Sequence, residues 1–359
     1  MLPFLREHHA DPGRLHVEGR TTRVALEGAR EQVASFFGAR PREVVFTSSG
    51  TEAVNAAVWG GVARGRETGR GHVVTTAVEH SCVTDAVRRD ADDVTVVGVD
   101  RLGRFSVDDV VGAVRDDTAL VSLQLANHEV GTLQPATEVC AAVRERGAGR
   151  VLVHVDACAA AGHVGLSFRE VDADLCSVTA HKFGGPKGAG ALLVRRGVRV
   201  PPLLVGGAQE RARRGGMEDV PAWVGFGAAC ADVDVVAEAA AQRALIDWAV
   251  AAIETVPGIV LYGDPAPDGR LPYVLCIGVE GIEAEPILLA LDQQGVAVHS
   301  GSSCSSEMLE PSPVLAAMRV DADHSLRVSV GWSSTRADVE RFADVLPGIV
   351  DRLRRLRAS

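Results

Sequence analysis

The sequence predicts an α/β protein: a large domain with a mostly parallel sheet covered by helices, followed by a smaller α+β C-terminal domain. Apolar, β-branched runs alternate with helical patterns through the first two-thirds of the chain, which is the signature of βαβ units. Several of these runs are almost continuously apolar, as expected for strands buried on both faces. The chain has 359 residues, about two domains' worth at ~150 residues each.

The strands expected in the first domain are Glu43–Phe46, His72–Thr76, Val94–Val99, Leu120–Leu125, Val151–Val155, Leu175–Val178 and Ala191–Val194. Helical spacing between them predicts helices over Thr22–Phe37, Thr51–Ala63, Val83–Arg89 and Thr137–Arg146. This gives a large domain over residues 1–232, with the segment 1–20 packing on the second domain. The Ala-rich stretch Val233–Ile253 opens the smaller domain, 233–359, as one long helix. After it come strands at Ile259–Tyr262, Tyr273–Gly278 and Arg327–Val330, and helices at Ala284–Leu291 and Arg336–Leu356.

Composition narrows the function classes. Hydrophobic residues are 47% and charged residues 23%, close to the globular average, so wholesale disorder is excluded. A net charge of -10 argues against direct nucleic-acid binding and against an anionic membrane surface. No uncharged apolar run approaches the ~18 residues of a membrane span. Met1–His9 lacks a basic segment followed by an apolar stretch, so no signal peptide is expected. The seven cysteines are odd in number and widely spaced, with no CxxC pair. A disulfide framework or a structural metal site is therefore not expected, and a reducing cytoplasm fits. Among 37 basic residues only Lys182 and Lys187 are lysines, so any chemistry that needs a lysine amine has two candidates.

Ligands of open parallel sheets sit beyond the carboxyl ends of the strands, and four such places carry reactive side chains. Ser48-Ser49-Gly50-Thr51 joins a strand to a helix start. Backbone N–H groups and the positive helix end there suit a phosphate, although an ordinary Ser/Thr N-cap explains the same residues. Asp156 ends the run Val151–Val155. A buried carboxylate needs a partner, either a protonated heterocyclic nitrogen of a cofactor or a buried arginine. Lys182 follows Asp174–Thr179 within Ala180-His-Lys-Phe-Gly-Gly-Pro-Lys-Gly188. A lysine at an apolar strand end is suited to a Schiff base, whereas Lys187, between Pro186 and Gly188, reads as a turn residue. Cys304 lies in Val298-His-Ser-Gly-Ser-Ser-Cys-Ser-Ser-Glu307. That composition predicts an exposed polar loop, where a thiol is a liability unless it is used. The other cysteines sit mostly in apolar runs, as small hydrophobes do. His80 follows a strand, and Arg327 in an apolar strand requires an anion, for which a substrate carboxylate is suitable.

Lysine, aspartate, a phosphate-binding helix start and a carboxylate-binding arginine together point to pyridoxal phosphate. A mobile cysteine adds nothing to transamination but is what sulfur acceptance requires. The chain resembles the cysteine desulfurases, in the class V aminotransferase branch of fold type I pyridoxal phosphate enzymes. The resemblance spans nearly the whole chain: Ser-Gly-Thr-Glu at 49–52, Glu79-His80, Asn127-His-Glu-Val-Gly131, His154-Val-Asp156 and the Lys182 segment. It continues through Gly206-Gly-Ala-Gln-Glu-Arg211, Ser300-Gly-Ser-Ser-Cys304 and Leu309-Glu-Pro-Ser312. The stretch between Cys304 and Arg327 is similar to the long-loop branch, which hands sulfur to separate acceptor proteins.

The resemblance implies a homodimeric, cytoplasmic transferase that converts L-cysteine to L-alanine through a persulfide on Cys304. It implies Lys182 as Schiff-base lysine and proton shuttle, with His80 stacked on the cofactor ring and assisting proton transfer. Asp156 would pair with the ring nitrogen, and Gly50, Thr51, Thr179 and His181 would hold the phosphate. His128 would contact the phenolic oxygen, and Arg327 would bind the substrate carboxylate. Departures from the family's pattern are His128 for a second Asn, Ala159 for Gln, and Met217 for the Thr that reaches the partner subunit's phosphate. The Ala-Thr-Thr strand usual near the family's N-terminus is absent, so the chain is expected to be trimmed there or to build that part of the pocket otherwise. These departures also fit another carbon–sulfur lyase on the same scaffold, or a degenerate scaffold that only binds a sulfur acceptor. Iron–sulfur assembly, tRNA thiolation, DNA sulfur modification and natural-product synthesis are all compatible destinations for the sulfur.

Overall fold

The apolar runs become strands within about two residues of the expected limits, the usual uncertainty of element ends. In the computed structural model, residues 1–300 and 311–358 are described. The chain divides into two units: Met1–Val97 with Ser106–Leu125 and Pro135–Asp234, and Gly98–Phe105 with Ala126–Gln134 and Val235 onward.

In the first unit, β1 (Val44–Thr47), β2 (His72–Thr76), β3 (Asp93–Val97), β4 (Thr118–Gln124), β5 (Leu152–Asp156), β6 (Leu175–Thr179) and β7 (Gly190–Val194) form one sheet. Its order is β1-β7-β6-β5-β4-β2-β3. The pairs β2–β3, β2–β4, β4–β5 and β5–β6 are parallel, and β7 is antiparallel to both its neighbours. Hence β7 alone runs against the rest, and the others end on one shared edge. His72, a polar residue inside these buried strands, is paired: its ring lies 2.8 Å from the hydroxyls of Thr118 and Thr95. Burial lowers its pKa, with Arg115 adding to the effect.

Helices cover the sheet. Gly50–Arg66 and Ser81–Asp90 pack against each other, and the helix Val17–Phe36 starts five residues ahead of its expected position because His16 caps it, its ring accepting from the Gly19 N–H. That helix packs on Val220–Asp232, an element absent from the expected list. Its start was legible as Asp219-Val-Pro221: the Asp219 side chain accepts from the Ala222 N–H at 3.1 Å, and Pro221 lies in the first turn, where its missing N–H is no loss. Helix therefore precedes the expected start at Val233, and Val233 itself is extended, ψ 124°, so Val235–Ile253 is a separate helix. The segment 1–20 belongs to the first unit, where Leu2–Arg6 packs on Val220–Asp232.

The core beneath these helices is aromatic. Phe46 stacks on Trp223 at 4.9 Å, and Phe183 on Phe36 at 5.4 Å. Within it lies a fully buried ion pair. Arg30 makes a two-point contact with Glu210, at 2.7 and 2.6 Å, with side chains 2% and 0% exposed. Glu210 also accepts the Phe46 N–H at 2.8 Å, so one carboxylate ties a distant loop to β1 and to the first long helix.

The second unit has an antiparallel sheet in the order β10-β11-β9-β8, where β8 is Ile259–Tyr262, β9 Val274–Val279, β10 His299–Ser300 and β11 Ser325–Ser329. Its core joins Ile246, Ile253, Ile277, Leu291, Leu326 and Leu346 from strands and from the helices Val235–Ile253, Ala284–Asp292 and Arg336–Ala358. Residues 98–105 and 126–134, placed within 1–232 by the sequence pattern, group with this unit. Side-chain bonds explain why: Gln134 Nε2 donates to the Gly103 carbonyl at 2.7 Å, Arg104 pairs with Asp264, and the Asp264 N–H reaches Thr132 Oγ1 at 3.1 Å. No single helix among the described residues is long and apolar enough to cross a membrane.

Removing one member of a buried pair strands the other charge, at about 3–5 kcal/mol. Arg30→Met should lower stability by about that amount, read as a fall in the urea midpoint; a loss under about 1 kcal/mol, the scale of an exposed pair, would contradict the role given to Glu210.

Candidate active site

The parallel strands deliver their last residues to one edge of the first unit's sheet. Gln124, Asp156 and Ser177 lie side by side across β4, β5 and β6, and Thr179 and Thr47 both pair with Gly190. Gly50 and Thr51 follow β1, His80 follows β2, Asp156 ends β5, Thr179 ends β6, and His181 and Lys182 come next. Seven of the expected site residues thus belong to one edge of one unit.

The turn after β1 is built around glycine. Ser49 is fully extended (φ -171°) and caps the helix Gly50–Arg66, its hydroxyl accepting from the Glu52 N–H at 3.1 Å. The first bond from a helix N–H to a backbone carbonyl runs from Ala53 to Ser49, so the N–H groups of Gly50 and Thr51 lie ahead of the helix's own bonding. A Cβ on Gly50 would come 2.6 Å from Cys158 Sγ, and one on Gly190 would come 2.5 Å from the Ser49 carbonyl carbon. Only bare backbone fits this closely, and it leaves N–H groups aimed out of a helix end, as an anion requires.

Asp156 is 8% exposed. Its Oδ1 accepts the Cys158 N–H at 3.0 Å, and it has no ion pair among the described residues. The alternative of a buried arginine partner is therefore not what the fold provides. A second buried carboxylate lies near Asp156: Glu79, whose Oε1 accepts the Gln124 N–H at 3.1 Å. Burial pushes the Cys82 thiol well up, and the charges of Asp156 and Glu79 push it further; burial and Asp156 do the same to Cys158. Two residues back on the same face, His154 is fully buried between Ser122 Oγ at 2.9 Å and Ser177 Oγ at 2.8 Å. Burial depresses its pKa to about 4 against the pull of Asp156, so it is neutral. The Gln124 side-chain nitrogen, beside Asp156, is buried with no hydrogen-bond partner.

His80 caps the helix Ser81–Asp90: its Nδ1 accepts the Cys82 N–H at 3.1 Å and lies 3.0 Å from Cys82 Sγ. With Nδ1 accepting, this network assigns the proton of the neutral ring to Nε2. Lys182 stands exposed in the short 3-10 turn Ala180–Phe183. Its backbone is fixed on both sides. His163 Nε2 lies 2.8 Å from the Lys182 carbonyl, and the next side chain, Phe183, is sunk among Phe36, Phe37 and Phe226. Thr179 Oγ1 is 2.9 Å from His181 Nδ1. Burial, then Lys182 and Lys187, lower the pKa of His181. Lys187 is an exposed turn residue.

His128 and Arg327 belong to the second unit. Arg327 in β11 is half-buried rather than buried. Its Nη1 donates to the His128 carbonyl at 3.4 Å, and it has no ion pair among the described residues. The loop is shaped by Asn127 Oδ1, which accepts from the N–H groups of Glu129 and Val130, each at 2.9 Å. Glu129 in turn accepts from Ser312 Oγ at 2.6 Å, and His128 Nε2 lies 3.5 Å from it. Ala159 is buried and Met217 is 64% exposed. Cys304 lies outside the described residues. The pattern of residue types did not reveal the roles of Ser122 and Ser177, which flank His154, or of Arg214, whose guanidinium meets Glu52 at 2.9 Å; an alternating polar row in strands of otherwise apolar residues was the one available signal for the serines.

The family model for class-V aminotransferases matches residues 1–342. The cysteine desulfurase IscS of Methanosarcina thermophila is 38% identical over 364 aligned positions, covering 99% of this chain and 89% of the relative. A solved structure of a NifS-like protein superposes with a TM-score of 0.90 at 31% identity, covering 98% of this chain and 94% of the other. A structure described as SspA in complex with cysteine gives a TM-score of 0.79 at 26% identity, covering 91% and 92%.

The neutrality of His154 has a pH signature. Its folded pKa of about 4 lies below the ordinary 6.5, so between those values the unfolded chain binds a proton that the folded chain does not. Its contribution is intact above pH 6.5 and falls as pH drops toward 4, by on the order of 3 kcal/mol. Chemical denaturation of the wild type against His154→Gln should show a flatter pH dependence in the variant over that window; parallel curves would mean that His154 does not carry it.

Proposed function

This chain belongs to the class-V aminotransferase family, among the cysteine desulfurases, and from that premise we propose how its own residues perform the reaction. The observation that carries the assignment is Asp156, a buried carboxylate with a backbone N–H and no cation of its own among the described residues. A pyridinium nitrogen supplies that cation. The bare-backbone cradle at Ser49-Gly50 and the Gln124 Nε2, unpartnered among the described residues, support the same cofactor, pyridoxal phosphate. When bound, that cofactor contributes a carbonyl that takes up an amine and a ring that accepts electrons from the substrate's Cα.

Asp156 holds a proton on the ring nitrogen, and the neutral neighbours Cys82, Cys158 and His154 leave its charge undivided. The Gly50 and Thr51 N–H groups take the phosphate, with Thr179 and His181 adding side-chain donors. His80 covers the ring face with its orientation fixed by Cys82, and its Nε2–H faces away from that cap. Lys182 holds the cofactor through Nζ and, once displaced by substrate, moves the proton at the substrate's Cα. Exposure suits this role, because the side chain must swing. Arg327, which has no ion pair among the described residues, takes the carboxylate of L-cysteine, and His128 donates to the cofactor's phenolic oxygen where the family places an Asn.

Cys304 takes the sulfur. Its thiol attacks the substrate sulfur, the carbon–sulfur bond breaks and a sulfur–sulfur bond forms, so that L-cysteine and a thiol become L-alanine and a persulfide with no external oxidant. A sulfur-acceptor protein then removes the persulfide. The same assignment makes the protein a cytoplasmic homodimer, in which exposed Met217 occupies the position the family uses toward the second copy.

Purified protein with pyridoxal phosphate, L-cysteine and a reductant should yield alanine equal to sulfide. Lys182→Ala should reduce turnover by about 1,000-fold or more, within the range for loss of a positioned acid–base group. Cys304→Ala should keep the cofactor and lose the persulfide. Sulfide without alanine, or pyruvate in its place, would replace desulfuration with lyase chemistry; a persulfide retained on another cysteine in Cys304→Ala would remove Cys304 from the reaction.

A further inference from the structure

The segment 206–216 holds three consecutive residues with side chains in the left-handed region: Glu210, Arg211 and Ala212, at φ 48°, 59° and 60°. Each such residue is disfavoured because its Cβ crowds the following carbonyl, and a run of three persists only where its surroundings enforce it. One end is enforced by Glu210, buried on Arg30 and the Phe46 N–H. The other end leads, two residues on, to Arg214.

Arg214 makes a two-point contact with Glu52: Nε to Oε1 at 2.9 Å and Nη2 to Oε2 at 3.3 Å. Both side chains are largely buried, 17% and 11% exposed. Glu52 lies in the first turn of the helix Gly50–Arg66 and also accepts the Ser48 N–H at 2.8 Å and the Ser48 hydroxyl. Burial by itself would raise its pKa, but the bonds from Arg214 and Ser48 outweigh burial and hold the carboxyl below its ordinary value. It is therefore a charged group. No other cation pairs with it among the described residues.

That charge sits in an awkward place. A carboxylate in the first turn stabilises an isolated helix, but here the same positive end has an anion to bind. A bare Glu52 would occupy the field of the Gly50 and Thr51 N–H groups and repel a phosphate dianion a few ångströms away. We propose that Arg214 is a positioning residue for the cofactor phosphate: it cancels the charge of Glu52 and locks Glu52 onto Ser48, which keeps the Ser48–Thr51 turn open as an anion site, and the strained turn 210–212 exists to deliver it. This inference rests on the assignment of the phosphate to Gly50 and Thr51.

The test uses cofactor-free full-length protein and equilibrium dialysis against pyridoxal phosphate and against pyridoxal, which lacks the phosphate. Wild type should bind the phosphorylated form more tightly; equal binding of the two would remove the phosphate site itself and the inference with it. Given that preference, Arg214→Met should weaken pyridoxal phosphate by about tenfold, the scale of one first-turn charge, and leave pyridoxal within about twofold. Adding Glu52→Gln should restore most of the loss, since it removes the charge that Arg214 cancels. Arg214→Lys keeps the charge but not the two-point contact, so its loss should be smaller than that of Arg214→Met. If the Met variant does not fold, Glu52→Gln alone carries the test and should bind pyridoxal phosphate at least as tightly as wild type, a selective loss there overturning the inference. An unchanged affinity in Arg214→Met, an equal loss for both ligands, or a double variant as weak as the single would each overturn the inference, because each assigns Arg214 to holding the loop alone.

Discussion

A carboxylate buried at the end of a strand has to be matched by a positive charge, and Asp156 has none among the described residues. Three of its neighbours are held neutral. Two cysteine thiols are pushed further from ionisation by burial and by Asp156 itself. The histidine two residues back could have become the counter-ion, but two serine hydroxyls and full burial fix it as a neutral ring. An ion that folding leaves unmatched is expensive in any protein, and it is tolerated where a ligand completes it. The polar row Ser122, His154 and Ser177 therefore supports the candidate site: it braces the strand that ends in Asp156 and keeps His154 neutral.

The reactive groups are exposed or half-buried, and it is their backbones that are immobilised. Lys182 projects from a single turn whose next residue is buried among three phenylalanines. His80 is held by the first turn of the helix it caps. Gly50 and Gly190 let two chains approach to a distance that no side chain allows. This division, rigid main chain and free side-chain end, suits a lysine that must both bind and release, and it places the precision of the site on strands and packed rings instead of on loops.

Much of this was legible in the sequence because the chemistry is local. Two lysines in the whole chain reduce the search for an amine to one segment. Asp156 and Thr179 are visible as polar ends to apolar runs, and the cap at Ser49 is visible as a Ser-Gly-Thr step. What the pattern did not carry was long-range or composition-blind. Arg30 meets Glu210 across 180 positions, so neither residue announces the other. The helix Val220–Asp232 hides between a turn and a longer apolar stretch, and its Asp-Val-Pro start is the one local sign of it. Residues 98–105 and 126–134 fall within the expected first domain, 1–232; the bonds of Arg104 and Thr132 to Asp264, more than 130 positions away, are the kind of contact that no window of sequence contains.

The two acidic residues of the site are treated in opposite ways, and the contrast fixes the polarity of what binds. Asp156 ends β5 and Glu52 lies in the first turn of the helix after β1, at one edge of the same sheet, and both side chains are mostly buried. Yet Asp156 meets no guanidinium among the described residues, whereas Glu52 is met by one at two points and by Ser48 at two more. A ligand that carries a cation at one end and a dianion at the other needs this pairing: an unmatched carboxylate for the cation, and a cancelled carboxylate beside the N–H groups for the anion. Reversing either treatment would weaken it. An arginine on Asp156 would compete with the ring nitrogen, and a bare Glu52 would compete with the phosphate. The strain held in residues 210–212 is then intelligible as the conformation that brings Arg214 to Glu52.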